Sequence, residues 1–337
     1  MIKPCTPAEI SFYQSCAIDH PDWAAVMPQY MGKLELSDPN SAISSLPQTA
    51  NQREIKDAIQ SLASAAGDRS EAPLAGAGGG MGGGMGRPLE TTISIVLENI
   101  TAGFVRPNVM DIKLGRRTWD ENTPPEKRQR LEKVCQNSTS ASLGWRISGM
   151  KVWRGPPPRA SQSSSPPADS DDGYVTHDKH FARTTTAASI REEGLIPFLD
   201  PTGRDRQKAA ELAAAFAKSL ARIRGVVAAA ESRMIGASVL FVYEGDEVAL
   251  ERAWAAEREG GSRAVVEGGH EGHGDEDEGE EVVRPKVADV RLIDFAHARW
   301  VPGEGADENV LFGLETLEKA FSEMGKLRSV AGGQKSK

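Results

Sequence analysis

Along the chain, apolar residues recur with a period near 3.6 in some stretches and of two in others, and the switches between these periods mark out the elements. Residues 7–19, "PAEISFYQSCAID", read as a helix, and "TTISIVLENI" (91–100) as a strand that ends in a turn-like "TAGFVRPN". "PNVMDIKLG" (107–115) is a second strand, followed by a short basic helix, "PEKRQRLEKVC", after Pro124 and Pro125, and by a third strand, "LGWRISGMKVW". Between 204 and 224, Leu212, Phe216 and Leu220 fall at i, i+4 and i+8, the signature of a core-packing helix. "ASVLFVYEG" reads as a buried strand and "KVADVRLIDFAHARW" as another that ends in acid. "VLFGLETLEKAF" closes the series as a helix with Leu311, Leu314, Leu317 and Phe321 on one face. Strands and helices in this order fit an α+β protein rather than regular βαβ units.

Three stretches interrupt the pattern. Residues 67–87 are glycine-rich, 155–173 combine proline, serine and acid, and 257–286 are acidic and glycine-rich. All three read as loops inserted between ordered elements. The glycine run is no phosphate cradle, because it lacks a Lys-Ser/Thr ending and leads into a strand rather than a helix. His270 and His273 lie among carboxylates in "HEGHGDEDE", but such charged, glycine-rich chain does not fix ligands in geometry.

Bulk properties narrow the classes. The chain has 337 residues, enough for one large domain or two lobes, and 39% hydrophobic residues, enough for a sizeable core. A net charge of −8 gives no general reason to expect direct nucleic-acid binding. Cys5, Cys16 and Cys135 are odd in number and lack metal spacing, which points to a reduced intracellular setting. No apolar run reaches the roughly 20 residues of a membrane helix, and no secretory signal is evident. No heptads or exposed apolar stripe argue for a dimer, so a monomer is expected.

Candidate chemistry begins in "PNVMDIKLG". Side chains at i and i+2 of a strand share one side, so Asp111 and Lys113 are presented together beside the turn at Gly115. From Lys113 to Lys133, seven cations stand against four carboxylates, in a protein that is acidic as a whole. On the short helix Lys127 and Arg130 are i, i+3 neighbours; a solvated face and a polyanion site are both compatible with them. Asp294 follows the apolar Leu292 and Ile293, where an acid is costly unless hydrogen-bonded or bound to a cation. A capped structural acid and a metal ligand are both open. Taken with Asp111 and Lys113, Asp294 completes what phosphoryl transfer from a nucleotide requires: a carboxylate for Mg2+, cations for the transferring group, and a group that orients the acceptor hydroxyl.

"PNVMDIKLG" resembles the P-x-x-x-D-x-K-x-G signature of the inositol polyphosphate kinases. The segments "EKRQRLEKVCQNSTSASLGWRISGMKVW", "ASVLFVYEG", "LIDFAHARW" and "ENVLFGLETL" follow in the family's order, and "IKPCTPAEISFY" looks like its lysine strand and following helix. The resemblance implies a two-lobed, protein-kinase-like fold with ATP in the cleft, an N-terminal lobe and hinge over 1–100, a catalytic lobe over 101–325 with short inositol-binding helices at 117–143, and a tail over 326–337. It assigns Lys3 to the ATP phosphates with Glu9 as its partner, and the backbone at Glu98 and Ile100 to adenine. Asp111 falls at the nucleotide and acceptor hydroxyl, and Lys113 near the transferred phosphoryl group. Lys127, Arg130 and His297 fall at the inositol phosphates, and Asp294 at Mg2+. Two departures stand out. Ala237 replaces the first of two family serines, leaving Ser238, and the glycine-containing hairpin that covers the ATP phosphates is expected to be missing before Lys3.

The stretch between Gly115 and Gly144 is compact, which implies an open pocket that accepts several inositol phosphates. "DIKLG", "EKRQRLEKV" and "GMKVW" read closest to the fungal multikinase branch, acting on inositol trisphosphate to give tetrakis- and pentakisphosphate. The alternatives are a hexakisphosphate kinase making pyrophosphates and a truncated, non-catalytic interaction protein. The resemblance further implies transcription-complex partners and a place in nucleus and cytoplasm.

Overall fold

The computed structural model describes residues 1–35, 91–156, 173–178, 180–263 and 286–326. The glycine-rich stretch at 67–87, most of the loops expected at 155–173 and 257–286, and the tail after 326 lie outside the described residues.

In the first lobe, β1 (Ile2–Pro4) leads into α1 (Pro7–Asp19), followed by β2 (Tyr30–Glu35) and β3 (Ile93–Leu97). The strands form an antiparallel sheet in the order β1-β3-β2, with Lys3 opposite Ile95. Helix α1 starts where it does because Thr6 accepts the Glu9 amide (3.3 Å) through its hydroxyl and Pro7 supplies a preset φ. Its inner face buries Glu9, Ile10, Phe12, Tyr13 and Cys16.

The second lobe is built on a five-stranded antiparallel sheet. Its strands are β4 (Pro107–Leu114), β5 (Trp145–Trp153), β6 (Tyr174–His177), β8 (Ser238–Glu244) and β9 (Ala288–Ile293), in the order β6-β5-β4-β8-β9. The short β7 (Ser232–Met234) pairs separately with β10 (Ala298–Trp300). On central β4, Met110, Ile112 and Leu114 are fully buried on one face, which leaves Val109, Asp111 and Lys113 on the other. Between β4 and β5 the helix α2 (Pro125–Gln136) projects, and α3 (Arg206–Ala228), α4 (Glu247–Arg263) and α5 (Glu308–Lys326) follow later in the chain.

Helices α3 and α5 cover the apolar face of the sheet. Leu212, Phe216 and Leu220 are fully buried, as their spacing requires. Phe216 meets Phe241 of β8 at 5.1 Å and Phe321 of α5 at 5.5 Å between ring centroids. Leu314, Leu317 and Phe321 are buried, whereas Leu311 lies at the margin of the core. Helix α4 corrects one boundary: it runs to Arg263, so the acidic loop expected from 257 opens as helix. Asp246 caps its start by accepting the Ala249 amide (2.9 Å), and Leu250 and Ala253 anchor it.

The lobes meet through aromatic rings. Phe12 of α1 stacks on Phe295 at 5.0 Å and on Trp300 at 4.9 Å, and Tyr13 meets Phe295 edge-on at 5.3 Å. The helix that carries Glu9 is thereby packed on the residue that follows Asp294. No described helix is long and apolar enough to cross a membrane.

Candidate active site

At the lobe junction the structure brings together Lys3 and Glu9 from the first lobe with Asp111, Lys113 and Asp294 from the second. Lys3 Nζ lies 3.0 Å from both Glu9 Oε1 and Asp294 Oδ1. Glu9 is buried, so this ammonium supplies its compensating charge. Lys113 does not pair with its strand neighbour Asp111. Its Nζ donates to the Gly236 carbonyl (2.7 Å) and lies 3.8 Å from Asp294 Oδ2. Asp294 therefore sits between two lysines, one from each lobe.

Backbone geometry singles out Asp294. It is the only non-glycine among the described residues with positive φ, at 68°. A side chain in the left-handed region costs on the order of 1–3 kcal/mol and persists where the surroundings over-determine it. Aspartate tolerates this region better than most residues. The conformation comes immediately after β9 and leaves the carboxylate about a third open to solvent (36%).

The two carboxylates are tuned apart. Burial pushes Asp111 up to about 6; Lys113 opposes that rise and Asp294 adds to it. Asp294 is held below the usual carboxylate range, because Lys113 and Lys3 outweigh the burial that opposes them. The Lys3 ammonium is raised: burial works against the charge, and Asp294 and Glu9 more than restore it. Two neighbouring acids with divided affinities for a proton mark acid–base and metal-binding sites. Asp111 Oδ1 and Ser238 Oγ are also buried, and neither has a hydrogen-bond partner other than the other. A buried oxygen so sparsely partnered costs stability unless something binding in the cleft satisfies it.

The turn after Lys113 is fixed from the far end of the chain. Gly115 has φ +92°, and a Cβ there would lie 2.4 Å from Asn309 Nδ2. Asn309 Oδ1 accepts the amides of Arg116 (2.8 Å) and Arg117 (3.0 Å), and its Nδ2 donates to the Arg117 carbonyl (3.0 Å).

Other expected site residues sit apart from this cluster. Of the two expected hinge residues, Glu98 donates its amide to Gln29 O (2.9 Å) and Ile100 is buried. Lys127 and Arg130 are exposed on α2, with no ion pair among the described residues and no contact with the Asp111 cluster. Their neighbour Arg128 is engaged by Glu132 (2.9 Å) and lies over the Trp119 ring at 3.6 Å. The His297 ring is 54% exposed, with Nδ1 3.5 Å from Asp120 Oδ2.

Sequence reasoning missed Arg146, Asn309 and Asp120. Arg146 pairs across the sheet with Lys113, and its guanidinium donates to Ser140 Oγ (3.0 Å). Burial lowers its proton affinity, while Cys135 and Asp111 oppose the fall. Only the β4–β5 register makes it a neighbour of Lys113, and that register contains a bulge between Asp111 and Ile112.

Hard oxygen donors and lysines in one cleft suit a divalent cation shared with phosphates. Mg2+ is commonly held by one or two carboxylates plus phosphate oxygens rather than by an all-protein cage. Asp294, with the buried Asp111 carboxyl beside it, matches that donor set.

Comparison with known proteins places this geometry among relatives. The family profile described as inositol polyphosphate kinase matches residues 94–322. The inositol polyphosphate multikinase of Saccharomyces cerevisiae is 34% identical over 246 residues, covering 67% of this chain and 67% of that protein. The Schizosaccharomyces pombe multikinase is 25% identical over 324 residues, covering 96% of this chain and 89% of that protein. Mouse inositol hexakisphosphate kinase 3 is 29% identical over 248 residues, covering 71% of this chain and 51% of that protein, so the chain spans about half its length. Among solved structures, the S. cerevisiae inositol phosphate multikinase in complex with ADP and Mn2+ superposes with a TM-score of 0.59 at 27% identity, covering 96% of this chain and 98% of that one.

Proposed function

The chain belongs to the inositol polyphosphate kinase family, and on that premise we propose that it works as a multikinase, phosphorylating hydroxyls of inositol trisphosphate and its products. The fold is two-lobed and kinase-like, and the activity is ATP-dependent transfer to inositol phosphates. The observation that carries the site assignment is the arrangement at the junction, where the buried Asp111 carboxyl lies beside Asp294, which is held between Lys3 and Lys113.

In this reading Lys3, kept charged by Glu9 and Asp294, holds the ATP phosphates, and the backbone at Glu98 and Ile100 receives adenine. Asp294 and Asp111 would hold Mg2+, which offsets phosphate charge when bound. Asp111, ionised above about pH 6, orients the acceptor hydroxyl and takes its proton as the new P–O bond forms and the bond to ADP breaks. Lys113 meets the transferred group, and Lys127, Arg130 and His297 meet substrate phosphates at the rim. Placing cations from both lobes around one phosphoryl group lets lobe closure assemble the site.

The substrate branch is decided by incubating the purified chain with ATP and, separately, inositol trisphosphate and inositol hexakisphosphate, then separating the products. Tetrakis- and pentakisphosphate are expected. Conversion of hexakisphosphate to pyrophosphate with the trisphosphate untouched would instead select the hexakisphosphate-kinase reading, for which the 29% identity to the mouse enzyme speaks. Residence in nucleus and cytoplasm is part of the same proposal, checked by imaging a tagged chain.

A further inference from the structure

Two segments meet beside the cleft, the loop that follows Lys113 and the stretch from Asp294 into β10. Two side-chain contacts join them: His297 Nδ1 with Asp120 Oδ2 at 3.5 Å, and the Arg299 guanidinium with Glu121 Oε2 in an ion pair at 3.2 Å. Glu121 is also met by Arg117 at 3.4 Å, so the second pair is anchored on both sides. Asp120 is the better fixed member of the first pair. Its Oδ1 accepts the Asn122 amide (3.1 Å) and the Thr123 hydroxyl (2.8 Å), and its own amide donates to Thr123 Oγ1 (3.0 Å). That leaves Oδ2 to face the imidazole.

Exposure separates the roles of the two residues. The Asp120 side chain is 12% exposed and turned into its own loop, whereas the His297 ring is 54% exposed. Partial burial works against the Asp120 charge, but Thr123 and His297 hold the carboxyl below its usual range, so the anion persists through neutral pH. An imidazole has two ring nitrogens, and fixing one of them determines where the other points.

We propose that Asp120 is a positioning residue of the inositol polyphosphate subsite: it accepts from His297 Nδ1–H, so that the imidazolium presents Nε2–H as a donor to a substrate phosphate. The inference rests on the kinase reading above. It adds that Asp120, which touches no substrate, contributes to affinity for the inositol phosphate and not for ATP. The 3.5 Å separation shortens to hydrogen-bond length when the ring gains an anion on its opposite nitrogen.

The test is calorimetric titration of the purified chain with inositol trisphosphate and, separately, with ATP. Asp120→Ala is expected to weaken trisphosphate binding about 10-fold, in line with loss of a group that orients a ligating histidine. ATP binding should stay unchanged. His297→Ala should weaken the trisphosphate about as much, and the double variant no more than His297→Ala alone. Asp120→Asn keeps one oxygen for Asn122 and Thr123 but sets an NH2 group against Nδ1; it should fold as the wild type yet bind the trisphosphate almost as weakly as Asp120→Ala. Wild-type binding by Asp120→Ala, or a full additional loss in the His297→Ala background, would overturn the Asp120 role while leaving the kinase reading intact. A wild-type chain that neither binds nor phosphorylates any inositol phosphate overturns the kinase reading, and the Asp120 role with it.

Discussion

Replacing Asp111 by Asn should make the protein more stable while disabling it. Burial raises this carboxyl from 3.8 to about 6, so the folded state binds the proton more tightly than the unfolded state does. A carboxyl shifted upward gives stability that is complete below the unfolded value and lost as pH rises through the folded one. At pH 7.5 the wild type therefore carries the cost of a buried anion, about 2 pKa units or ~3 kcal/mol at about 1.36 kcal/mol per unit. Asn keeps the shape and removes the charge. Its amide N–H groups need partners in the same buried place, which costs about 1 kcal/mol. A net gain of about 1–3 kcal/mol is expected at pH 7.5, shrinking towards zero near pH 4.5. Urea unfolding of nucleotide-free protein in a chelator, at several pH values, measures it. Phosphoryl transfer should fall on the order of 10²-fold or more in the same protein. An Asn variant that is no more stable at pH 7.5, or whose gain is the same at both pH values, would refute the claim that a charge is held there at the expense of stability.

Asp294→Asn and Asp294→Ala should each lower transfer on the order of 10²-fold or more, but differ in thermal stability. Asn tolerates φ near 68°, while Ala pays about 1 kcal/mol more for the same backbone, which a melting comparison resolves. Lys3→Met leaves the buried Glu9 without its ammonium; a loss of about 2–3 kcal/mol by denaturant titration and a raised KM for ATP are expected. Gly115→Ala forces a Cβ against Asn309 at a backbone angle suited to glycine. A loss of about 2 kcal/mol by denaturant titration and a raised KM for the inositol substrate should be measurable there.

What could be read from the chain was local. The Thr6–Pro7–Glu9 cap and the i, i+4, i+8 leucine and phenylalanine positions specify helices within a few residues of themselves, and the structure places those helices where the pattern put them. The side-by-side display of Asp111 and Lys113 follows from strand periodicity alone. Other features depend on distant parts of the chain. Arg146 becomes a neighbour of Lys113 only through a bulged strand register, and Asn309 reaches the amide that follows Gly115 from the last helix of the chain. The left-handed backbone at Asp294 has no signature in "LIDF", because the stacking of Phe295 on Phe12 that accompanies it is tertiary. Composition misled once. The glycines after 257 suggested loop, yet the capped and anchored start of α4 carries its helix through Arg263.

The backbone angle at Asp294 also limits which inherited changes the site can take quietly. Asn and Gly, the residues that best accept φ near 68°, are each one nucleotide away from an aspartate codon. Either change removes the carboxylate while leaving the fold intact. Loss-of-function alleles of these two kinds should therefore yield normal amounts of folded protein, unlike substitutions that strain the backbone there.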